Sequence, residues 1–280
     1  MALPLKDNLP TRRIAITTLS LILINLAIWL LWQPTLQDPN QLVELGPPGE
    51  AIELSPAEAF LFTNTGIPCE LLTGRPLTVG EVRLLESGDG DSCGKSPKIA
   101  TEGDSLPLVP NKNVYLAGFL TMFFHASFAH IFGNMLFLFI LGNNVEDRFG
   151  HLRYLAFYLL CGIAATAGHA LANPDSVVPT LGASGAVGGV MGAFFVLFPL
   201  ARIFSVVLLP LPFTAYMPAW IPLVIWFAMQ FTPLVGEHVA AWAHIGGFIA
   251  GVLLTPLVIM SIRPMRLDPE PPQPVFVNAY

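Results

Sequence analysis

The sequence predicts an all-α membrane protein, a bundle of six transmembrane helices with a long exterior loop between the first and second helices. Three observations predict this fold class. The 280 residues are 54% hydrophobic and only 11% charged, with a mean hydropathy of +0.64, which is far more apolar than a soluble domain. The apolar residues are concentrated in six stretches, and among the short connections those that carry basic residues alternate with those that carry none.

The six apolar stretches approach the length that a bilayer core requires, about 20 residues for a helix. They cover residues 14–32, 128–141, 154–171, 184–200, 218–231 and 239–260. The first follows a basic N-terminus and could be a signal peptide, but it lacks a convincing small-residue cleavage site and is long enough to span. We therefore expect a retained first helix. The second and fifth stretches are short, so we expect neighbouring helices to bury them.

The distribution of Lys and Arg predicts the orientation. Eight of the 13 basic residues lie outside the long loop, at the N-terminus, between spans two and three, between spans four and five, and after span six. The other two short connections contain none. Because basic connections stay in the cytoplasm, we expect both termini to be cytoplasmic and the long loop to be exterior. The expected location is the plasma (inner) membrane of a bacterium.

The long loop, residues 33–112, is polar, rich in Pro and Gly, and holds 12 of the 19 acidic residues. The net charge of −6 therefore belongs to this loop, and no basic stripe indicates nucleic-acid binding. We expect a small, partly ordered excursion, because sparse apolar residues bury little core. Cys69 and Cys93 both lie here, so we predict a disulfide, with two unpaired thiols as the alternative. Cys161 lies in span three without a partner.

The chain thus divides into five predicted parts. They are a short cytoplasmic N-terminus (1–13), the first transmembrane helix (14–32), the exterior loop (33–112), a helical core that contains spans two to six (113–260), and a disordered cytoplasmic tail (261–280). The tail is assigned from its Pro-rich, polar composition.

Ser184 stands in a run of small residues, 180–193, that leads into an apolar stretch. Prolines before the run predict a helix that begins at or just before Ser184, with the hydroxyl near the free N–H groups of the first turn. A helix N-terminus favours a developing negative charge. Glycines four residues apart, Gly185 with Gly189 and Gly188 with Gly192, let a neighbouring backbone approach closely. Taken alone, the run favours the plainer interpretation of an N-cap serine on a packing face.

Three further polar residues lie at membrane depth, where such residues are costly and are therefore functional candidates. His130 and Asn134 are four residues apart in span two and share one helical face, and His244 lies in span six. In the predicted orientation, these residues and Ser184 all lie within about two turns of the outer ends of their helices. Each has a plainer interpretation alone, His244 as a core histidine and Asn134 as an interhelical hydrogen-bond partner. Together they predict a site where three helices converge.

Such a site can perform acyl transfer. Serine is a weak nucleophile until a base within hydrogen-bond reach removes its proton, and a neutral His244 can act as that base. The oxyanion of the tetrahedral intermediate needs donors, and the Asn134 amide, a His130 ring N–H and the Ser184 backbone N–H are available. Spans four and six contain no Asp or Glu. We therefore predict a Ser–His dyad without the carboxylate of a triad.

Three motifs carry a resemblance to a known family: Gly182-Ala183-Ser184-Gly185, His130-x-x-x-Asn134 and Ala243-His244-x-x-Gly247. They resemble the G-x-S-G, H-x-x-x-N and A-H-x-x-G motifs of the rhomboid intramembrane serine proteases, in the same order and on the corresponding spans. The resemblance implies a six-helix rhomboid-like bundle. It also implies that Ser184 is the nucleophile, that His244 is the base, and that His130 and Asn134 form the oxyanion hole with backbone N–H groups.

One position departs from the pattern of some family members. They place an aromatic residue four positions after the nucleophile, where it stacks on the histidine, whereas this sequence has Gly188. His244 is therefore either held less firmly or held by an aromatic residue from elsewhere in the chain.

These observations predict an intramembrane serine endopeptidase that cleaves transmembrane segments of membrane proteins near the exterior face. Its partners would be transmembrane protein substrates and the lipid bilayer, without nucleic acid, metal or other cofactor. The alternative is a catalytically inactive rhomboid-like protein that binds or escorts client membrane proteins. A transporter would need midplane carboxylates and repeat symmetry, and a metalloprotease would need an H-E-x-x-H helix. The sequence contains neither.

Overall fold

The computed structural model describes residues 2–33, 38, 40–97, 101–207, 213–232 and 240–262. Its architecture is mostly helical. The described α-helices are α1 (Ile16–Leu31), α2 (Pro56–Asn64), α3 (Pro68–Thr73), α4 (Val79–Glu86), α5 (Val114–Leu120), α6 (Phe128–Phe149), α7 (His151–Ala172), α8 (Ser184–Leu197), α9 (Trp220–Met229) and α10 (Ala241–Ser261). The strands are β1 (Ala2–Asp7), β2 (Val43–Leu45), β3 (Ile52–Leu54), β4 (Arg202–Val207) and β5 (Phe213–Pro218). Nearly all of the predicted tail, from residue 263 onward, lies outside the described residues.

Within the described part of the chain, three helices are long and apolar enough to cross a membrane: α6, α7 and α10. They coincide with predicted spans two, three and six. The remaining predicted spans coincide with α1, α8 and α9, apolar helices of 16, 14 and 10 residues. The count of six membrane crossings therefore stays a prediction.

Helix α6 continues eight residues beyond the predicted end of span two. Its last two turns are polar and serve as a contact surface. The Glu146 carboxylate accepts hydrogen bonds from the backbone N–H groups of Thr17 and Thr18, each at 2.7 Å, and so satisfies free donors in the first turn of α1. The helix ends where Gly150 adopts a φ of 79°, a conformation that glycine reaches without steric cost. Helix α1 is thereby fixed against α6.

Helix α8 packs mainly against α10 and α7, at the distance that its glycines permit. A Cβ atom added to Gly247 would overlap the carbonyl oxygen of Gly185, and one added to Gly251 would overlap that of Gly189. The close approach that the sequence predicts at Gly185 and Gly189 is thus confirmed. Because the backbones touch, the first residue of α8 lies beside the first turn of α10.

Residues 43–97 and 101–110 fold into a small unit, here called the disulfide-bridged unit, made of the β2–β3 hairpin and helices α2 to α4. The prediction that this region buries little core is wrong, because isolated apolar residues converge from across the segment. The buried residues are Ile52, Leu54, Phe62, Ile67, Cys69, Leu77, Val79, Val82 and Leu108, joined by Val177 from the α7–α8 connection. The predicted disulfide between Cys69 and Cys93 is confirmed.

A three-stranded antiparallel sheet was not expected from the sequence. Strands β4 and β5 form a hairpin in the connection after α8, and β1 at the N-terminus pairs with β4, so that the order is β1-β4-β5. The β4 sequence is rich in β-branched and aromatic residues, which favour strands. The described part of the chain is therefore mostly helical, with two small sheets, and the fold is not all-α.

Candidate active site

Ser184 and His244 are in hydrogen-bond contact, with 2.8 Å between Ser184 Oγ and His244 Nε2. Ser184 is the first residue of α8, and Ala183 occupies the N-cap position without a side-chain cap bond. The interpretation of Ser184 as an N-cap serine is therefore wrong, because its hydroxyl contacts the histidine of another helix. His244 lies in the first turn of α10, which the glycine packing brings against α8.

Two residues of the α9 region hold the His244 ring. Gln230, the residue after the last turn of α9, places its Oε1 at 2.7 Å from His244 Nδ1. The Trp226 ring lies beside the imidazole, with ring centroids 5.6 Å apart and an interplanar angle of 34°. A Cβ atom on Gly188 would lie 3.5 Å from Trp226 Cη2 and 3.2 Å from the His244 carbonyl oxygen. The aromatic partner of His244 thus comes from elsewhere in the chain, and it fills the space beside Gly188.

His130 approaches Ser184 across Gly182. A Cβ atom built on Gly182 would lie 2.9 Å from His130 Nε2 and 3.3 Å from Ser184 Oγ. Gly182 also has a φ of 129°, in a region that side-chain-bearing residues rarely adopt. The lack of space for a Cβ atom and the positive φ both explain why glycine occupies the position two residues before Ser184. The space between the imidazole and the hydroxyl stays open.

Asn134 lies one helical turn after His130 on α6 and is 8% exposed. Among the described residues, its side-chain Nδ2 is buried and has no hydrogen-bond partner. Most buried donors in folded proteins are paired, so an unpaired amide one helical turn from His130 is a donor available to a bound group. The structure therefore brings Ser184, His244 and His130 together at the N-terminal end of α8, and Asn134 lies one turn from His130 on α6.

Two buried polar residues, His125 and Gln33, connect His130 with the backbone next to Ser184. The backbone N–H of Ala183 donates to His125 Nε2 at 3.5 Å, and the His125 ring meets the His130 ring edge-on at 5.1 Å. Gln33 accepts from the His125 backbone N–H at 2.9 Å and donates to its carbonyl oxygen at 3.0 Å. These bonds give His125 a structural role.

The segment that leads to the nucleophile, residues 173–183, is held by the disulfide-bridged unit and by the α5–α6 connection. Thr180 pairs with Gly66 through backbone and side-chain hydrogen bonds of 3.0 and 2.8 Å. Thr121 Oγ1 accepts from the Gly66 N–H at 2.6 Å and donates to the Thr180 carbonyl oxygen at 3.2 Å. The Gly182 N–H donates to the Thr121 carbonyl oxygen at 3.0 Å. This network sets the backbone just before Ser184.

A cavity borders Ser184 between α7, α8 and α10. Its walls are mostly small side chains, with the polar groups of Thr121, Thr166, Thr180 and His169 among them. It offers room for a small group beside the hydroxyl, together with polar partners. His169 thus lines the space next to Ser184.

Sequence reasoning missed Gln230 and Trp226. A signal for Gln230 existed, because it is a polar residue at the end of a predicted span, the class of residue that pointed to Asn134. The contact itself depends on how the end of α9 meets the start of α10, and the sequence between them does not encode that geometry in any recognisable pattern.

Comparison with known proteins agrees with these motifs. The family model of the Rhomboid domain matches residues 113–261, just over half of the chain. "Rhomboid protein 1, mitochondrial" of Saccharomyces cerevisiae is 36% identical over 148 residues, 51% of this chain and 42% of that protein. Two Arabidopsis thaliana proteins, "RHOMBOID-like protein 5" and "RHOMBOID-like protein 1", are 30% and 29% identical over 140 and 162 residues.

The alignments with these two plant proteins cover 50% and 57% of this chain and 42% and 38% of the relatives. The chain thus spans about two fifths of the length of the curated relatives that it matches. These relatives come from a plant and, by its name, from a yeast mitochondrion, so the expected bacterial plasma membrane location stays a prediction. The matched domain covers all of the helices that meet at Ser184 and His244. The chain therefore belongs to the rhomboid family and is an integral membrane protein.

Proposed function

We propose that this protein is an intramembrane serine endopeptidase in which Ser184 is the nucleophile and His244 is the general base. The observation that carries the proposal is the 2.8 Å contact between Ser184 Oγ and His244 Nε2. A serine hydroxyl is activated when a base lies within this distance of it. Family membership supports the same chemistry, since the two residues stand in the family's G-x-S-G and A-H-x-x-G motifs.

The reaction follows from the positions of the polar groups. His244 Nε2 takes the proton as Ser184 Oγ attacks the scissile carbonyl carbon, and the imidazolium then protonates the leaving amine. The oxyanion formed in the attack accepts hydrogen bonds from the Asn134 amide, from a His130 ring N–H and from the backbone N–H of Ser184. Water then attacks the acyl-enzyme, with His244 again as base, and releases the second product.

The substrate class follows from where these groups lie. The helices around the dyad are apolar and three of them can span a bilayer, so a substrate reaches Ser184 as a transmembrane or membrane-adjacent segment. The segment must unwind locally, because a carbonyl within a helix is already hydrogen-bonded. The small side chains that line the neighbouring cavity favour a small residue before the cleaved bond.

The orientation is part of the proposal. Both termini are placed in the cytoplasm and the disulfide-bridged unit outside, on the basis of the eight basic residues that share one side. Reporter fusions after Arg148 and Arg202 should read cytoplasmic, and a fusion near Pro174 should read exterior. An inverted pattern would contradict the orientation and the cleavage site near the exterior face.

Activity-based labelling tests the catalytic assignment. A fluorophosphonate, which reacts with activated serines, should label the purified wild type and fail with Ser184→Ala and His244→Ala, because only a serine with a base in reach reacts. Ser105→Ala changes an exposed serine of the disulfide-bridged unit and should label like the wild type. A model transmembrane substrate should be cleaved by the same variants that label, with or without a metal chelator.

The alternative function is a rhomboid-like protein that binds or escorts client membrane proteins. Such a protein would bind transmembrane segments equally well with Ser184→Ala and would show no Ser184-dependent labelling. Full labelling of Ser184→Ala would contradict the protease proposal for this site.

A further inference from the structure

Gln230 is a polar residue of the site that neither the motifs nor the predicted dyad include. It is 7% exposed and lies immediately after the last turn of α9. Its side chain makes two hydrogen bonds. Oε1 lies 2.7 Å from His244 Nδ1, and Nε2 donates to the Trp226 carbonyl oxygen at 2.9 Å.

The second hydrogen bond fixes which way the amide points. A backbone carbonyl oxygen only accepts hydrogen bonds, so the Gln230 atom that faces Trp226 has to be the NH2 group. The atom that faces His244 is then the amide oxygen, which also only accepts. His244 Nδ1 must therefore carry a hydrogen. In a neutral imidazole the other nitrogen, Nε2, is then unprotonated, and it faces Ser184 Oγ at 2.8 Å.

We infer that Gln230 is a positioning residue that holds His244 in the tautomer protonated at Nδ1, so that Nε2 can accept the Ser184 proton. The amide supplies the directional part of what a carboxylate supplies in a catalytic triad, because both accept from Nδ1 and fix the ring. It supplies no negative charge. The site is thus a serine, a histidine and a glutamine drawn from α8, α10 and the end of α9, with Trp226 against the imidazole ring.

The contribution of this inference to activity rests on the proposed function, but the tautomer itself can be measured without any reaction. Protein labelled with 15N in histidine, in detergent at neutral pH, reports which ring nitrogen carries hydrogen. The His244 signals are assigned by their loss in His244→Ala. In the wild type we expect Nδ1 of His244 to be protonated and Nε2 to be unprotonated. A wild-type ring protonated at Nε2 would overturn the inference without any further variant.

Two substitutions distinguish a role of Gln230 in orienting His244 from a role in packing alone. Gln230→Met keeps the length of the side chain and removes the acceptor, so we expect the Nε2-protonated tautomer to appear and fluorophosphonate labelling to slow by about tenfold, the factor that one neutral hydrogen bond supplies. Gln230→Glu keeps an acceptor opposite Nδ1 and loses the donor to Trp226. It should retain the Nδ1-protonated ring. Gln41→Met, at an exposed glutamine, should match the wild type in both measurements.

The outcomes distinguish this inference from the proposed function. An unchanged tautomer in Gln230→Met, with the protein still folded by circular dichroism, would overturn the role of Gln230. A tautomer that shifts in Gln230→Met, in a protein whose wild type shows no Ser184-dependent labelling, would support the role of Gln230 and contradict the protease assignment.

Discussion

The backbone N–H of Cys69 donates to the carbonyl oxygen of Ser176 at 3.0 Å. The other cysteine of the disulfide makes a similar hydrogen bond, since the Cys93 backbone N–H donates to the Asp175 carbonyl oxygen at 3.1 Å. The covalent bridge therefore joins two backbone positions that hold consecutive residues of the 173–183 segment. That segment leads directly into Ser184, the first residue of α8, so the disulfide-bridged unit helps to set the position of the proposed nucleophile.

Removal of the disulfide should slow the reaction at Ser184 without unfolding the membrane helices. The two cysteines are 24 residues apart, and a disulfide that closes a loop of this length contributes about 3 kcal/mol to stability. In Cys69→Ser/Cys93→Ser we expect faster hydrogen exchange in residues 173–183 and slower fluorophosphonate labelling. Exchange in α6, α7 and α10 should be unchanged.

Reductant provides the matched control. Dithiothreitol should slow labelling of the wild type and leave the double serine variant unaffected, because that variant has no bridge to reduce. Equal labelling and equal exchange of the 173–183 segment in the bridged and unbridged proteins would contradict the coupling between this unit and Ser184.

The four predicted site residues could be found from the sequence because their chemistry is rare at membrane depth. A serine, two histidines and an asparagine in apolar stretches each carry a cost in lipid, and the predicted orientation places all four near the outer ends of their helices. The structure brings Ser184 and His244 together as that argument expected. The glycine pairs that allow the approach could also be recognised in the sequence, because a four-residue spacing places both glycines on one face of a helix.

The other features of the fold and the site depend on contacts that no local sequence pattern indicates. The core of the disulfide-bridged unit is built from single apolar residues, such as Ile52 and Val82, that are spaced among polar ones. Strand β1 pairs with β4 about two hundred residues further along the chain, and such nonlocal pairing leaves no periodic signal in either segment. Gln230 acquires its role only where the end of α9 meets the start of α10.

Acid should destabilise the disulfide-bridged unit through Glu81. The Arg75 guanidinium binds this carboxylate at 2.6 and 2.9 Å, and the backbone N–H groups of Thr78 and Gly94 donate to it at 2.8 and 2.6 Å. Burial by itself would raise the pKa of Glu81, but these hydrogen bonds outweigh it and hold the pKa below its ordinary value. The bonds also tie α4 to the backbone beside Cys93.

A depressed pKa gives stability that is present above the pKa of the unfolded chain, about 4, and is lost as the pH falls through the folded-state value. The unfolding temperature of the wild type, followed by calorimetry, should therefore be constant near neutral pH and fall below about pH 4. The unfolding temperature of Glu81→Gln should be lower than that of the wild type at neutral pH, and it should depend less on pH in the acid range. Two parallel curves would exclude Glu81 as a cause.

The packing of α8 on α10 should tolerate no side chain at Gly247. A Cβ atom there would overlap the Gly185 carbonyl oxygen, and backbone cannot move aside as a flexible side chain can. Gly247→Ala should lower the free energy of unfolding by about 1–3 kcal/mol, as overpacked cores do. It should also slow Ser184 labelling, because the displaced helix carries His244.

Gly133→Ala is the matched control for this change. Gly133 lies in α6, and a Cβ atom added to it would have no neighbour within 4 Å. Alanine is there the better helix former, by up to about 1 kcal/mol, so stability should be equal or higher. If Gly133→Ala and Gly247→Ala have the same effect on unfolding, close helix packing is not the reason for the glycine at 247.

Asn134 should act only in the transition state. Its Nδ2 has no partner among the described residues, so Asn134→Ala removes no hydrogen bond that this amide donates within that part of the chain, and the unfolding temperature should change little. Loss of one oxyanion donor typically lowers kcat by ~10²–10³. We expect kcat and kcat/KM for a model transmembrane substrate to fall together with KM unchanged, as when an interaction exists only in the transition state.

Asn134→Asp sharpens this test, because it keeps the size of the side chain and replaces the donor with an acceptor. In its ionised form it would repel the oxyanion, so its kcat should be lower than that of Asn134→Ala. Some turnover should persist in Asn134→Ala, since His130 and the backbone N–H of Ser184 still donate. A fall in thermal stability with kcat unchanged would instead make Asn134 an interhelical hydrogen-bond partner, and the oxyanion would have to be held by His130 and backbone donors.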